Sequence, residues 1–150
     1  MRSDHLAKMV DIGSKKVVKR VATAEGRLEL KPSTLKSILS GTVKKGDVIS
    51  ASKLVGIQAA KATSAILPLC HLVPLTAVEV EIELERDSLV ARCTVGADYK
   101  TGVEMEALTG VTAALLNAWD MVKYLEKDDN GQYPSTTISD IRVVRKTKGR

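Results

Sequence analysis

The sequence predicts an α+β fold of the ferredoxin-like type, a βαββαβ sandwich whose antiparallel sheet carries the helices on one face. Three observations lead to this prediction: a strict two-residue alternation in mid-chain, amphipathic helical stretches before and after it, and strand-like segments near both ends. Their order along the chain is that of the split βαβ arrangement. Because 150 residues suffice for one hydrophobic core, we expect a single domain over residues 1–150, with residues 1–8 as a flexible tail.

The alternating segment spans Thr76–Glu85, where four glutamates separate aliphatic residues. This period predicts a strand with one buried and one solvated face. A turn at Arg86–Ser88 leads into a second alternation, so the two segments should form an antiparallel hairpin. The side chains expected to point inward are those of Val78, Val80, Ile82, Leu84, Leu89, Ala91, Cys93 and Val95. Cys93 is therefore predicted to be a small buried hydrophobic residue and not a reactive thiol.

Three helices are expected on one face of the sheet. A short one should run from Ser33 to Ser40, because Gly41 can stop it. The second should begin after Asp47, a favourable N-cap residue, and end at Pro68. The third should run from about Gly102 to Leu125. The predicted buried stripes are Val48, Ala51, Val55, Ala59, Ala62 and Ile66 on the second helix, and Val103, Ala107, Val111, Ala114, Ala118, Val122 and Leu125 on the third.

Two outer strands complete the pattern, at Val17–Glu25 and Thr137–Arg145. The segment 128–134 combines Asp, Asn, Gly and Pro and is predicted to be a surface loop before the last strand. Five basic residues lie among the last nine positions, 142–150, and we interpret them as a solvated tail.

The composition excludes several classes of protein. No stretch approaches the roughly 18 apolar residues of a membrane span, and the first ten residues lack an apolar signal core, so a cytoplasmic protein is expected. The two cysteines suggest neither a disulfide framework nor a metal site. The net charge of +5 favours anionic partners, but four aromatic residues and no Phe are too few for stacking nucleic acid bases. We therefore expect no membrane and no nucleic acid partner.

Two polar clusters precede the hairpin. Lys44–Asp47 is a turn before a helix, where lysines and free amides could bind an anion, although a capped turn with solvated lysines has the same composition. Leu67–His71 places His71 beside Cys70 near two prolines. No third ligand or catalytic triad partner can be assigned, so His71 is either a hydrogen-bonded loop residue or a ligand contact.

Two further clusters lie on the long third helix. Acidic residues in its first turn, within Thr101–Glu106, suit the helix dipole, but the carboxylates of Glu104 and Glu106 could also recognise the N–H donors of a purine-like or pterin-like ring. Asp120 and Lys123, three residues apart, are neighbours on a helix. They form either an ordinary surface ion pair or an acid–base pair.

The spacing of Glu106 and Asp120 constrains any site that uses both. They are 14 positions apart on one helix, which corresponds to about 21 Å along the axis with an angular offset of about 40°. They share a helix face but not a pocket of small-molecule size. A common substrate would therefore favour an oligomer with active sites at its interfaces.

Six segments between Met9 and Lys146 form a set whose order and spacing are informative: Met9–Asp11, Lys45–Val48, Gly56–Lys61, Leu67–His71, Thr101–Thr109 and Asp120–Lys123. Together they resemble the cyclic pyranopterin monophosphate synthase (MoaC) family of molybdenum cofactor biosynthesis. The resemblance implies a ferredoxin-like subunit of a homohexamer, a trimer of dimers with active sites at subunit interfaces.

The resemblance also implies a reaction. A radical S-adenosylmethionine enzyme first converts GTP into 3′,8-cyclo-7,8-dihydroguanosine 5′-triphosphate, and this family, as a phosphorus–oxygen lyase, turns that product into cyclic pyranopterin monophosphate with release of pyrophosphate. No cofactor and no metal are expected.

The matching motifs imply roles for eleven residues. Asp120 is similar to the catalytic acid–base residue, with Lys123 as its partner and Lys45 as a second catalytic lysine. The residues that match substrate-binding positions are Leu69, Cys70 and His71 in a loop, Glu104, Met105 and Glu106 for the base, and Arg20 and Lys61 for the triphosphate.

Three features depart from the common bacterial pattern of the family: Leu72–Pro74 after the loop histidine, Trp119 before the aspartate, and a longer segment from Glu126 to Ser139. None removes a proposed catalytic group. Two non-enzymatic hypotheses are a ligand-sensing regulatory module and a nucleic acid binder that uses the basic C-terminus.

Overall fold

The computed structural model describes residues 5–149, so the first four residues of the expected tail lie outside the described residues. Residues 5–8 are exposed and belong to no helix or strand. The elements of residues 5–149 are β1 (Val18–Glu29), α1 (Pro32–Ser40), α2 (Val48–Lys61), α3 (Thr63–Ile66), β2 (Ala77–Leu84), β3 (Ser88–Tyr99), α4 (Glu104–Glu126) and β4 (Thr137–Lys148).

The four strands form one sheet in the order β2-β3-β1-β4, and every neighbouring pair is antiparallel. β1 and β2 therefore run parallel with β3 between them, which is the split βαβ arrangement. The predicted ferredoxin-like α+β fold is thus confirmed, with the helices packed against the sheet.

The central hairpin forms as the alternation predicts. Leu84 of β2 lies opposite Leu89 of β3 next to the turn, and the inward side chains of β3 are fully buried. Cys93 is one of them, and burial raises the pKa of its thiol to about 12. The interpretation of Cys93 as a buried hydrophobic residue is confirmed.

The predicted buried stripe of the second helix is wrong by one position. Apart from Val48, the residues of α2 that face the interior are Ser52, Gly56 and Ala60. The cause is the close packing of α2 along α4, since only small side chains fit between the two helices. The larger Ile66, expected inside, is 58% exposed.

The second helix is also interrupted, whereas a continuous helix up to Pro68 was expected. α2 ends at Lys61 and is followed by the short α3. The buried Thr63 hydroxyl donates to the carbonyl oxygens of Ala59 (3.2 Å) and Ala60 (2.9 Å). It therefore satisfies backbone carbonyl groups at the end of α2.

α1 and α4 agree closely with the sequence patterns. Gly41 caps α1 with a left-handed backbone conformation (φ 73°), and the Asp47 carboxylate accepts a hydrogen bond from the Ser50 amide at the start of α2. α4 begins at Glu104, two residues later than expected, and buries the predicted stripe except for Leu125, which is partly exposed.

The last strand extends through most of the segment that we interpreted as a solvated tail. β4 pairs with β1 as far as Lys148, which lies opposite Arg20, although its side chains remain largely exposed. Without β4, the backbone groups of β1 on that side would lack partners, so pairing with an edge strand satisfies them. The basic side chains are therefore solvated as expected, but residues 142–148 are not a tail, because the predicted strand continues beyond Arg145 to Lys148.

A membrane-crossing helix is not found among residues 5–149, where no helix combines the necessary length and apolar character.

Candidate active site

Three charged side chains meet at the C-terminal part of α4. The Lys45 ammonium lies 2.7 Å from Oδ2 of Asp120, and the Lys123 ammonium lies 3.1 Å from Oδ1. Each oxygen of the carboxylate therefore holds one lysine. Helical spacing indicated only the pair on the helix, the family resemblance added Lys45 as a second catalytic lysine, and the fold brings Lys45 to Asp120 from the turn before α2.

This Lys45–Asp120–Lys123 cluster is too exposed to contribute much to the stability of the folded protein. The three side chains keep 50%, 49% and 44% of their surface, and ion pairs so exposed are screened by water. The hydrogen bond from Lys45, followed by that from Lys123, lowers the pKa of Asp120. The carboxylate is thus ionised at neutral pH, beside two cations that remain accessible to an anionic ligand.

The turn that carries Lys45 is fixed on both sides. Gly46 has a φ of 107°, and Asp47 accepts hydrogen bonds from the amide (3.0 Å) and hydroxyl (2.8 Å) of Ser50. On the other side, the Lys44 amide donates to the hydroxyl of Tyr124 at 2.9 Å. Sequence reasoning missed Tyr124, although its position four residues after Asp120 places it on the same face of α4.

A second group of predicted residues lines an open cavity of about 520 Å³ at the other end of α4. Its walls are the loop Leu67–His71 and the segment from Thr101 to Met105, so Leu69, Cys70 and His71 lie opposite Glu104 and Met105. The fold thus brings two predicted substrate-binding segments together, more than 30 residues apart in sequence.

Glu106 lies next to Cys70 of the cavity wall and is only 3% exposed. Its Oε2 is 3.9 Å from Sγ of Cys70, and its Oε1 has no hydrogen-bond partner within residues 5–149. Burial raises the pKa of Glu106, and the charge of Glu104 raises it further. Burial thus weakens the preference of Glu106 for its ionised form, and in its protonated form this carboxyl can both donate and accept a hydrogen bond.

Cys70 is poorly suited to act as a nucleophile. Burial, followed by the nearby Glu106 carboxylate, raises the pKa of its thiol. Since the thiolate is the reactive form, Cys70 is held in its less reactive state.

His71 makes a hydrogen bond to the N-terminal segment. Its Nε2 lies 2.6 Å from the carbonyl oxygen of Val10, so this nitrogen carries the hydrogen. Lys100 donates to the carbonyl oxygen of Gly13 at 3.1 Å. In this structure His71 is therefore a hydrogen-bonded loop residue, and the N-terminal segment lies beside the cavity.

The two remaining predicted residues lie outside the lining of that cavity. Arg20, on β1, is 9% exposed and donates to the carbonyl oxygen of Lys100 at 3.4 Å, while its Nε has no partner within residues 5–149. Lys61, the exposed last residue of α2, lines a different cavity together with Leu72–Val78.

Comparison with known proteins assigns the chain to a family. The sequence model of the MoaC family matches residues 9–149. A protein of Thermococcus kodakarensis named "Probable cyclic pyranopterin monophosphate synthase" is 58% identical over 142 residues, 95% of this chain and 91% of that protein. A protein of Saccharolobus solfataricus with the same name is 53% identical over 142 residues, 95% of both chains. One from Methanothermobacter thermautotrophicus, named "Probable cyclic pyranopterin monophosphate synthase accessory protein", is 55% identical over 141 residues, 94% of this chain and 89% of that protein. The chain described here therefore belongs to the MoaC family.

Proposed function

We propose that this chain is a cyclic pyranopterin monophosphate synthase of molybdenum cofactor biosynthesis and that it forms a single domain. Its substrate would be 3′,8-cyclo-7,8-dihydroguanosine 5′-triphosphate, and its products cyclic pyranopterin monophosphate and pyrophosphate. The observation that carries the proposal is the Lys45–Asp120–Lys123 cluster, since an exposed carboxylate between two lysines has little structural purpose. The names of the relatives support the same reaction.

The cluster has the groups that formation of a cyclic phosphate requires. A hydroxyl oxygen of the substrate attacks the α-phosphorus, and the bond from that phosphorus to the pyrophosphate oxygen breaks. Asp120 is ionised and can accept the proton of the attacking hydroxyl. Lys45 and Lys123 stabilise the negative charge that develops on the phosphate oxygens as pyrophosphate leaves.

The cavity at the other end of α4 suits the heterocycle of the same substrate. Glu104 lines the cavity and can accept hydrogen bonds from N–H groups of the ring, and Glu106, buried beside Cys70, can donate a hydrogen bond when it is protonated. We assign Leu69, Cys70, His71 and Met105 to the walls of this cavity. Arg20 and Lys61 are the remaining cations proposed to contact the triphosphate.

A complete site on this scheme needs two subunits. Glu106 and Asp120 lie on one uninterrupted helix, about 21 Å apart along its axis, too far for one small-molecule pocket. Between them α4 and the end of α3 expose an apolar groove that includes Leu67, Leu108 and Leu116. Apolar surface of this kind favours association. We therefore propose a cytoplasmic homohexamer, a trimer of dimers, that receives its substrate from a radical S-adenosylmethionine GTP cyclase.

The test is turnover of the authentic substrate, followed by pyrophosphate release and by detection of the cyclic monophosphate. Lys45→Ala and Lys123→Ala should each lower kcat by at least about a hundredfold, because each removes a cation that stabilises the developing charge. Lys36→Ala, an exposed lysine of α1, is the matched control and should keep wild-type turnover. Full turnover in both cluster variants, or no turnover by the wild-type protein, would contradict the proposal.

A further inference from the structure

Two successive turns of α4 hold two successive residues of the turn before α2. Asp120 binds the side chain of Lys45, and Tyr124, four residues later, accepts a hydrogen bond from the backbone amide of Lys44. We propose that Tyr124 is a positioning residue that sets Lys45 beside Asp120 through the backbone of Lys44. This inference rests on the proposed function of the Lys45–Asp120–Lys123 cluster.

The hydrogen bond from Lys44 adds a side-chain anchor to a turn whose backbone is also closed by the Gly46 amide, which donates to the carbonyl oxygen of Val43 at 3.0 Å. On the C-terminal side of Lys45, Asp47 caps α2 and fixes the backbone. On the N-terminal side, the Lys44 amide is bound by the Tyr124 hydroxyl at 2.9 Å. A lysine side chain has four rotatable bonds and loses much conformational freedom when it is held. When the backbone is fixed on both sides of Lys45, fewer conformations of this residue move its ammonium away from the Asp120 carboxylate.

The aromatic ring of Tyr124 distinguishes between the adjacent residues Lys44 and Lys45. The Lys44 ammonium lies 4.9 Å from the ring centroid, a distance typical of a cation–π contact. Lys44 is thus held against the ring, while Lys45 and Lys123 occupy the two oxygens of Asp120. One tyrosine therefore binds both the backbone and the side chain of Lys44 and leaves the carboxylate to the other two lysines.

Tyr124→Phe separates positioning from packing, since it keeps the ring and removes only the hydroxyl that accepts from Lys44. We expect kcat to fall about fivefold to tenfold with KM nearly unchanged, which is the effect of losing one hydrogen bond that orients a catalytic group. The hydrogen bond from Lys45 contributes most to the lowered pKa of Asp120. In Tyr124→Phe, that pKa should therefore rise towards its ordinary value. The pKa is measured by NMR titration of ¹³C-labelled aspartate carboxyls, with Asp120 assigned from the spectrum of Asp120→Asn.

Tyr133→Phe is the matched control. Tyr133 lies in the loop before β4, its ring packs edge-on against Trp119, and its hydroxyl makes no hydrogen bond within residues 5–149. It should keep wild-type kcat and leave the Asp120 pKa unchanged. The NMR titration needs no substrate, so it tests the placement of Lys45 even if the wild-type protein fails to turn over the proposed substrate. An unchanged Asp120 pKa in Tyr124→Phe, or a wild-type kcat in an active enzyme, would overturn the inference.

Discussion

Gly56 of α2 and Gly110 of α4 meet backbone to backbone where the two helices pack. A Cβ atom added to either residue would lie 3.1 Å from the carbonyl oxygen of the other, closer than ordinary van der Waals contact. The pair therefore determines how near α2 comes to α4, and with it where the turn that carries Lys45 stands relative to Asp120.

Gly110→Ala should destabilise the protein by about 1–3 kcal/mol, because overpacking displaces groups that cannot easily move. The new methyl group would lie 2.7 Å from Sγ of Cys93 as well as against the Gly56 carbonyl. In an unobstructed helix the same change would instead stabilise by about 1 kcal/mol. The free energy of unfolding in urea gives the sign directly.

A double-mutant cycle identifies the cause of that cost. Cys93→Ala removes the sulfur that the new methyl group would meet, so the penalty of Gly110→Ala should be smaller in that background. Stabilisation by Gly110→Ala would show that the helices do not make this close contact, and full additivity with Cys93→Ala would show that the sulfur is not the cause of the cost.

Glu106 should make stability depend on pH. Burial raises its pKa in the folded protein, so the folded state binds the proton more tightly than the unfolded chain does. Its favourable contribution to the free energy of unfolding is therefore fully present below the ordinary pKa of a glutamate and is lost as pH rises through the raised folded-state pKa. Glu106→Gln, which stays neutral, should gain stability relative to wild type as pH rises through this window.

The measurement is the unfolding temperature of the two proteins over a series of buffers from acid to neutral pH. Glu79→Gln, an exposed carboxylate on β2, controls for the general loss of one negative charge. If the difference between Glu106→Gln and wild type were the same at every pH, the buried carboxyl would not titrate as we describe.

A site shared between subunits predicts which inactive variants rescue one another. Asp120→Asn and His71→Ala affect clusters at opposite ends of α4, so a mixed dimer would contain one site free of both changes. Random exchange of equal amounts should restore about a quarter of wild-type pyrophosphate release.

The structure also supplies the negative control for that mixture. Lys45 and Asp120 pair within one chain, so Lys45→Ala and Asp120→Asn should not rescue one another. Subunit exchange is verified with two affinity tags on the mixed oligomer. No recovery in the first mixture despite proven exchange would place the whole site within one chain.

The periodic segments could be read from the sequence because their signals are local. A strict alternation such as Thr76–Glu85 allows only a strand with one buried face, and the i, i+3 spacing of Asp120 and Lys123 puts them side by side on any helix. The buried face of α2 was missed by one position. Its alanines and glycines give nearly equal hydrophobicity to two adjacent stripes, so the shape of α4 decides between them.

By itself, the sequence determined the order of the elements, the ferredoxin-like fold and the motifs that match the MoaC family, because each depends on residues close in the chain. Only the tertiary structure decided that Lys45 completes the pair on α4, that Tyr124 holds the neighbouring backbone, and that Glu106 is buried beside Cys70. These relationships join residues 36 to 80 positions apart. Contacts at that separation arise only when packing brings distant elements together, and no local pattern in the chain encodes them.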